Sequence, residues 1–135
     1  ALRAGNPDAL LAFNGGIKLP LQSITEENDY TPGELATALP IDFGRFPLRV
    51  MTKEGTYPIS ECPIQYHLLC SLGQDWGHLC DSDQPRLPDG LVTVYTDYIL
   101  GLGGAMTWEV PVDRKGLIHE NFLRQLRLVK EFLNR

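Results

Sequence analysis

The sequence predicts an α/β fold in which parallel strands alternate with covering helices. Three observations carry that prediction. Apolar runs of strand length at Ala9–Asn14, Ile64–Leu72 and Ala105–Val112 are each bounded by turn-forming or polar residues. After the second and third of these runs, apolar residues recur with helical period. Buried strands alternating with amphipathic helices make a parallel sheet whose faces the helices cover. With 135 residues and 43% hydrophobic content, the chain is one domain or a piece of a larger one, with enough apolar surface for a core.

The elements follow in order. Pro7-Asp8 precedes the first run, so residues 1–6 read as the frayed end of a preceding helix. Asn14-Gly15-Gly16 closes that run as a turn. From Gly15 to Pro63 prolines recur at 20, 32, 40, 47, 58 and 63, which reads as a long functional loop with a local strand at Phe46–Met51. The strand Ile64–Leu72 follows, then a polar loop from Gly73 to Pro88. Leu91, Val94, Tyr95, Tyr98, Ile99 and Leu102 make Asp89–Leu102 an amphipathic helix, capped by Asp89 and stopped by Gly103-Gly104. After the strand Ala105–Val112, a helix over Glu120–Asn134 carries Phe122, Leu126, Val129 and Leu133 on one face. Loops after the strands are long and polar while those before them are short, which favours one elaborated face, as in a (β/α)8 barrel. No G-x-G-x-x-G or Walker-type phosphate loop is present, so a nucleotide-binding sheet loses support.

Composition narrows the partners. A net charge of −5 with scattered Lys and Arg lacks the basic face that nucleic acid needs. Arg124, Arg127 and Lys130 fall on the solvated side of the last helix. No apolar run approaches the ~20 residues of a membrane span. There is no signal-peptide pattern, and the chain begins Ala1-Leu2-Arg3, so an N-terminal part is expected to be missing. The three cysteines, Cys62, Cys70 and Cys80, fit no zinc spacing and are expected to be buried free thiols. Asp75, Asp81 and Asp83 share a polar loop without the Gly and distal Glu of an EF-hand, so that loop reads as solvated rather than metal-binding.

Three segments, in the right order, resemble glycoside hydrolase family 29, the α-L-fucosidases. Asn28-Asp29-Tyr30-Thr31-Pro32-Gly33-Glu34 resembles the family's D-x-T-P-E-type segment. Tyr66–His78 resembles its W-E…S-W-G-Y segment, and Gly103–Val110 its G-G-N-L-L-L-N-x segment, with Gly116, Ile118 and the closing helix downstream. The resemblance implies the C-terminal half of a (β/α)8 catalytic barrel, about its last four β/α units, over residues 1–135. It implies retaining hydrolysis of a terminal α-L-fucosyl bond without a cofactor, on a fucosylated glycan, by the completed barrel. The nucleophilic Asp would lie on an earlier strand outside this chain. Half a barrel leaves open sheet edges, so the isolated chain is expected to be unstable or to self-associate, and to be inactive alone.

The sequence also departs from the family. His67 occupies the position of the strand Glu, Cys70 that of a substrate-binding Arg found in some members, and Glu109 that of the family's Asn. The acid/base loop points to Asp81 or Asp83, with Ser82 at the literal register. A retaining pair of carboxyls stands about 5–5.5 Å apart, one of them with a raised pKa. Trp76 and Trp108 either stack on a sugar face or belong to the core. Glu109 at a strand end either serves the sugar, as hydroxyl acceptor or acid/base, or pairs with an Arg. His67 either bonds a hydroxyl or is a satisfied core histidine. Glu34 is either an acid/base or the box Glu of a helix start at Thr31-Pro32-Gly33-Glu34. Two rival readings stand beside the enzyme: a catalytically impaired barrel acting as a carbohydrate-binding or scaffold module, and an unrelated α/β domain with no sugar role.

Overall fold

The computed structural model describes residues 2–16, 18–35, 38–41, 48–74 and 82–135. Strands β1 (Leu21–Gln22), β2 (Glu34–Leu35), β3 (Arg49–Met51), β4 (Thr56–Pro58), β5 (His67–Ser71) and β6 (Ala105–Glu109) form two three-stranded sheets. Helix α1 (Asp89–Gly101) lies between β5 and β6, and α2 (Glu120–Leu133) follows β6. The principal sheet has the order β2-β5-β6 and is wholly parallel. The expected mixed α/β architecture with parallel strands and covering helices is therefore present.

The segment β5-α1-β6 is a βαβ unit built on alternation. Leu68 and Cys70 of β5 are fully buried in one cluster with Tyr66, Tyr95 and Ile99. His67 and Leu69 point to the other face and stay half-exposed. Helix α1 buries Val92, Thr93, Tyr95, Thr96 and Ile99, while Leu91 and Val94 of the expected stripe are 41% and 59% exposed. The buried stripe is rotated onto two threonines because their hydroxyls are satisfied within the helix. Thr93 donates to the Asp89 carbonyl at 3.0 Å and Thr96 to that of Val92 at 2.7 Å.

The caps of α1 divide the expectation. Pro88, not Asp89, is the N-cap, and no side chain caps the helix start. Asp89 is instead the first helical residue, where its charge suits the helix dipole and pairs with Arg124 of α2 at 3.0 Å. At the other end Gly103, at φ +81°, donates to the Leu100 carbonyl and Gly104 to that of Ile99, a Schellman stop as expected. Helix α2 buries Phe122 and Gln125 and half-buries Leu126 and Val129, but Leu133 is 43% exposed. Gln125 Nε2 donates to the Leu87 carbonyl at 2.7 Å, tying α2 to the segment before α1.

Two expectations for the N-terminal half are corrected. The region from 15 to 63 is not a structureless loop, since β1 pairs parallel with β3 and β3 antiparallel with β4. Strands of two or three residues are too short to show a period in sequence. The expected local strand survives as Arg49–Met51, while Phe46 and Pro47 lie outside the described residues. The run Ala9–Asn14 is not a buried strand. It has no ladder, and Leu10 is 74% exposed. Side-chain acceptors hold it: Leu11 N–H donates to the Asp29 carboxylate at 2.7 Å and Phe13 N–H to Asn28 Oδ1 at 2.9 Å, while Asp29 N–H donates to the Leu11 carbonyl. The Leu11 N–H holds the Asp29 carboxyl below its ordinary range; partial burial opposes this and Arg3 adds to it. Residues Leu2–Ala4 form a short 3-10 turn, which is all that appears of the expected helix end.

Among the described residues Cys62 and Cys70 are free thiols, Cys70 buried and Cys62 half-buried, and Cys80 lies outside them. No helix among the described residues is long and apolar enough to cross a membrane.

Candidate site at the carboxyl end of the parallel sheet

The register of the principal sheet sorts the sequence-derived site residues onto faces and rows. Leu35, Cys70 and Trp108 form one row on the helix-covered face. Glu34, Leu69 and Thr107 form a row on the opposite face. Ser71 and Glu109 pair one full alternation beyond that row, at the carboxyl ends of β5 and β6. His67 pairs with Ala105 at the amino ends.

Glu109 is half-buried, and its Oε2 accepts a hydrogen bond from Ser71 Oγ at 2.5 Å. Ser71 is 1% exposed, and its Oγ also accepts from Gly73 N–H at 3.1 Å. The Arg86 guanidinium donates to the Ser71 carbonyl through Nε at 3.3 Å and Nη2 at 2.9 Å, while Arg86 N–H donates to the Leu72 carbonyl. Leu72 N–H in turn donates to the Glu109 carbonyl at 3.0 Å. A Cβ at Gly73 would stand 2.3 Å from the Pro111 ring, so the chain segments leaving the two strands touch there. The result is a fixed carboxylate with one oxygen bonded to a buried hydroxyl. Chemically it can accept hydroxyl hydrogens or, protonated, donate one.

The other candidates fall elsewhere. Trp108 was expected beside Glu109 on a sugar-facing site, but adjacent strand residues point to opposite faces. Its indole packs in the core on the α1 side, and Nε1 donates to Thr96 Oγ1 at 2.9 Å. His67 stands four residues below Ser71, about 13 Å along the strand. Its Nδ1 meets the Thr31 carbonyl at 3.0 Å and its Nε2 meets Thr107 Oγ1 at 2.9 Å, with the Tyr30 ring edge-on at 5.4 Å. A carbonyl only accepts, so Nδ1 carries the proton and the Thr107 hydroxyl donates to Nε2 in the neutral ring. The ring is half-exposed, not a core histidine, and both of its nitrogens are engaged within the protein.

Glu34 opens β2 rather than a helix, which corrects its reading as a capping-box residue, and its Oε2 accepts from Asn14 Nδ2 at 2.6 Å. Its face is that of Glu109, but two strand spacings and two residues of rise separate their Cα atoms by about 12 Å. Asp83 is exposed and engaged by Gln84 Nε2 at 2.8 Å and Asn121 Nδ2 at 3.2 Å. Trp76 and Asp81 lie outside the described residues, as does Asp75. No group of three or more metal-ligating side chains occurs among the described residues. Sequence reasoning missed Ser71 and Arg86. Ser71 was detectable as the polar end of an apolar strand, whereas Arg86, 15 residues further along the chain, had no sequence signal.

Burial around Cys70 sets a pH limit on the sheet. The Cys70 thiol is pushed up to about 11 by burial, with Arg86 opposing the rise. Burial also raises the Tyr66 and Tyr95 phenols above their ordinary range. Groups that lose their protons later in the fold than in the unfolded chain make stability fall as pH rises. For Cys70 its stability contribution is full below the ordinary value near 9 and is lost through about 11. The urea midpoint should therefore hold through neutral pH and decline across that window, and a flat midpoint would contradict the buried thiol.

No family model, no curated protein and no solved structure matches the chain.

Proposed function

We propose that the chain forms the C-terminal half of a (β/α)8 barrel from an α-L-fucosidase-like glycoside hydrolase, with Glu109 as its site carboxylate. The observation that carries this reading is the fixed Ser71–Glu109 pair at the carboxyl ends of two adjacent parallel strands, the end where barrel enzymes keep their chemistry. The order of the strands agrees with it. The neighbours β2, β5 and β6 lie side by side in chain order and run parallel. A barrel adds its strands in that order, as does either half of a doubly wound sheet, so the order is compatible with the barrel.

On this reading the completed barrel cleaves a terminal α-L-fucosyl bond with retention. Glu109 serves as acid/base or hydroxyl acceptor; Glu34 stands too far away to be its close carboxylate partner, which the resemblance to the fucosidases puts on an earlier strand outside this chain. A second reading is a carbohydrate-binding barrel without chemistry. It is favoured by the Ser71 hydroxyl already spent on Glu109 and by His67 with both ring nitrogens engaged.

The test is turnover of an aryl α-L-fucoside by the protein in its full-length form. Glu109→Gln should lower kcat by a hundredfold or more, the scale of a lost acid/base. Trp108→Phe should leave KM unchanged, since the indole is spent on the core. Binding of the fucoside without turnover supports the second reading. Absence of both binding and turnover overturns the two together.

A further inference from the structure

A cleft of about 400 Å³ lies away from Glu109, on the smaller sheet. It opens where β1 and β3, which are parallel, reach their carboxyl ends, and the residues that follow them, Ser23, Thr25, Lys53 and Glu54, form its rim. The crevice beyond the carboxyl ends of parallel strands is where α/β folds bind small ligands. The volume is at the lower end of the 300–1,000 Å³ typical of such sites.

Asn28, which lines the cleft, carries an unspent donor just beneath its surface. Asn28 is 5% exposed, and its Oδ1 accepts from Phe13 N–H, which fixes the orientation of the amide. Its Nδ2 is therefore the free end, buried and without an acceptor. A buried donor left unpaired costs about 1–3 kcal/mol, so native proteins rarely keep one without a reason. Other groups on the wall have capacity left. Thr25 Oγ1 accepts from Glu27 N–H and keeps its own proton for a further bond. Lys53, Glu26 and Glu54 form no salt bridge among the described residues. Pro63 and Ile64 supply an apolar floor.

The lining thus offers donors and acceptors together over an apolar patch. An anionic ligand would face the carboxylates of Glu26 and Glu54. A purely cationic one would leave the Asn28 donor unmet. A ring bearing several hydroxyls uses both sets and lays its C–H face on Pro63 and Ile64. We propose that this cleft binds one sugar ring or a neutral polyol of similar size, with Asn28 Nδ2, Thr25 Oγ1 and Lys53 Nζ donating to its oxygens and Glu26 and Glu54 accepting from its hydroxyls. The site is separate from Glu109 and stands whether or not the chain belongs to a glycosidase.

The experiment is a backbone and side-chain amide NMR titration of the 15N-labelled protein with methyl α-L-fucoside, methyl α-glucoside, inositol, glucuronate and glucosamine. At least one neutral ligand should shift the Asn28 side-chain amide and the backbone amides of residues 23–28 and 52–54, with Kd on the order of millimolar. Lys53→Ala trims an exposed side chain with no salt bridge among the described residues, and Thr25→Val removes a hydroxyl whose one bond within the fold, from Glu27 N–H, is exposed; each should weaken binding about fivefold, a bond of roughly 1 kcal/mol. Asn28→Asp keeps the acceptor for Phe13 and removes the donor, and should abolish the shifts. If it fails to fold, the other two variants decide the matter. Shifts confined to the Ser71–Glu109 end, tighter binding of glucuronate or glucosamine than of every neutral ligand, or no shifts at all would overturn the proposal. Only the first of these outcomes would speak for the Glu109 site, so failure of this site and failure of the glycosidase reading are separable.

Discussion

Gly33→Ala should destabilise the fold by about 4 kcal/mol or more, a large part of the roughly 5–15 kcal/mol that holds a domain together. Two costs add. At φ +62° the residue sits in the left-handed region, where a side chain costs about 1–2 kcal/mol. A Cβ there would also lie 1.8 Å from the His67 carbonyl oxygen and 2.8 Å from Leu68 Cα. Those are backbone atoms of the central strand, so relief requires β2 to move off β5 and break the Leu69 N–H bond to the Gly33 carbonyl. Gly103→Ala separates the two costs, because Gly103 is also at positive φ, +81°, but meets nothing within 4 Å. It should lose only the conformational part, about 1–2 kcal/mol. Urea denaturation of the two variants checks this, and equal losses would mean that the close approach at Gly33 is not rigid.

Much of the C-terminal half was legible in the sequence because its elements are long enough for their period to show. The strand at His67–Ser71, both helices and the Gly103-Gly104 stop emerge from alternation, from 3.6-residue spacing and from a glycine pair. The N-terminal half was not legible, for two physical reasons. Its strands span two or three residues, below what a pattern resolves, and its apolar run at 9–13 is held by the polar groups of Asn28 and Asp29 rather than by burial. The candidate site could be approached from the sequence by residue type but not by side-chain direction. Sequence proximity joined Trp108 to Glu109, but the pleat sends them to opposite faces and leaves Ser71, on another strand, as the true neighbour of Glu109. His67 shares the face of Glu109 and is removed from it by strand length alone. A site assembled across strands depends on register, and register is set by contacts between segments that no single stretch of sequence contains.

Phe122→Ala should cost about 3–5 kcal/mol, the range for emptying a fully buried aromatic site. Phe122 is 0% exposed and packs in one cluster with Leu72 and Val92, against which Trp108, Val110, Ile118, Leu126 and Val129 also lie. It joins α2 to α1 and to both strands that carry the candidate site. Leu133→Ala, at a position 43% exposed on the same helix, should cost under about 0.5 kcal/mol, which separates core loss from loss of helix content. Phe122→Leu, which keeps most of the volume, should lose less than about 1.5 kcal/mol. The effect should reach the site as well. Leu72 follows Ser71 and Val110 follows Glu109, so a cavity at Phe122 loosens the two residues that anchor the Ser71–Glu109 bond. Amide hydrogen exchange at Leu72, whose N–H donates to the Glu109 carbonyl, should therefore accelerate in Phe122→Ala by more than in Leu133→Ala. Unchanged exchange at Leu72 alongside a large loss of stability would mean that the carboxyl end of the sheet is held independently of α2.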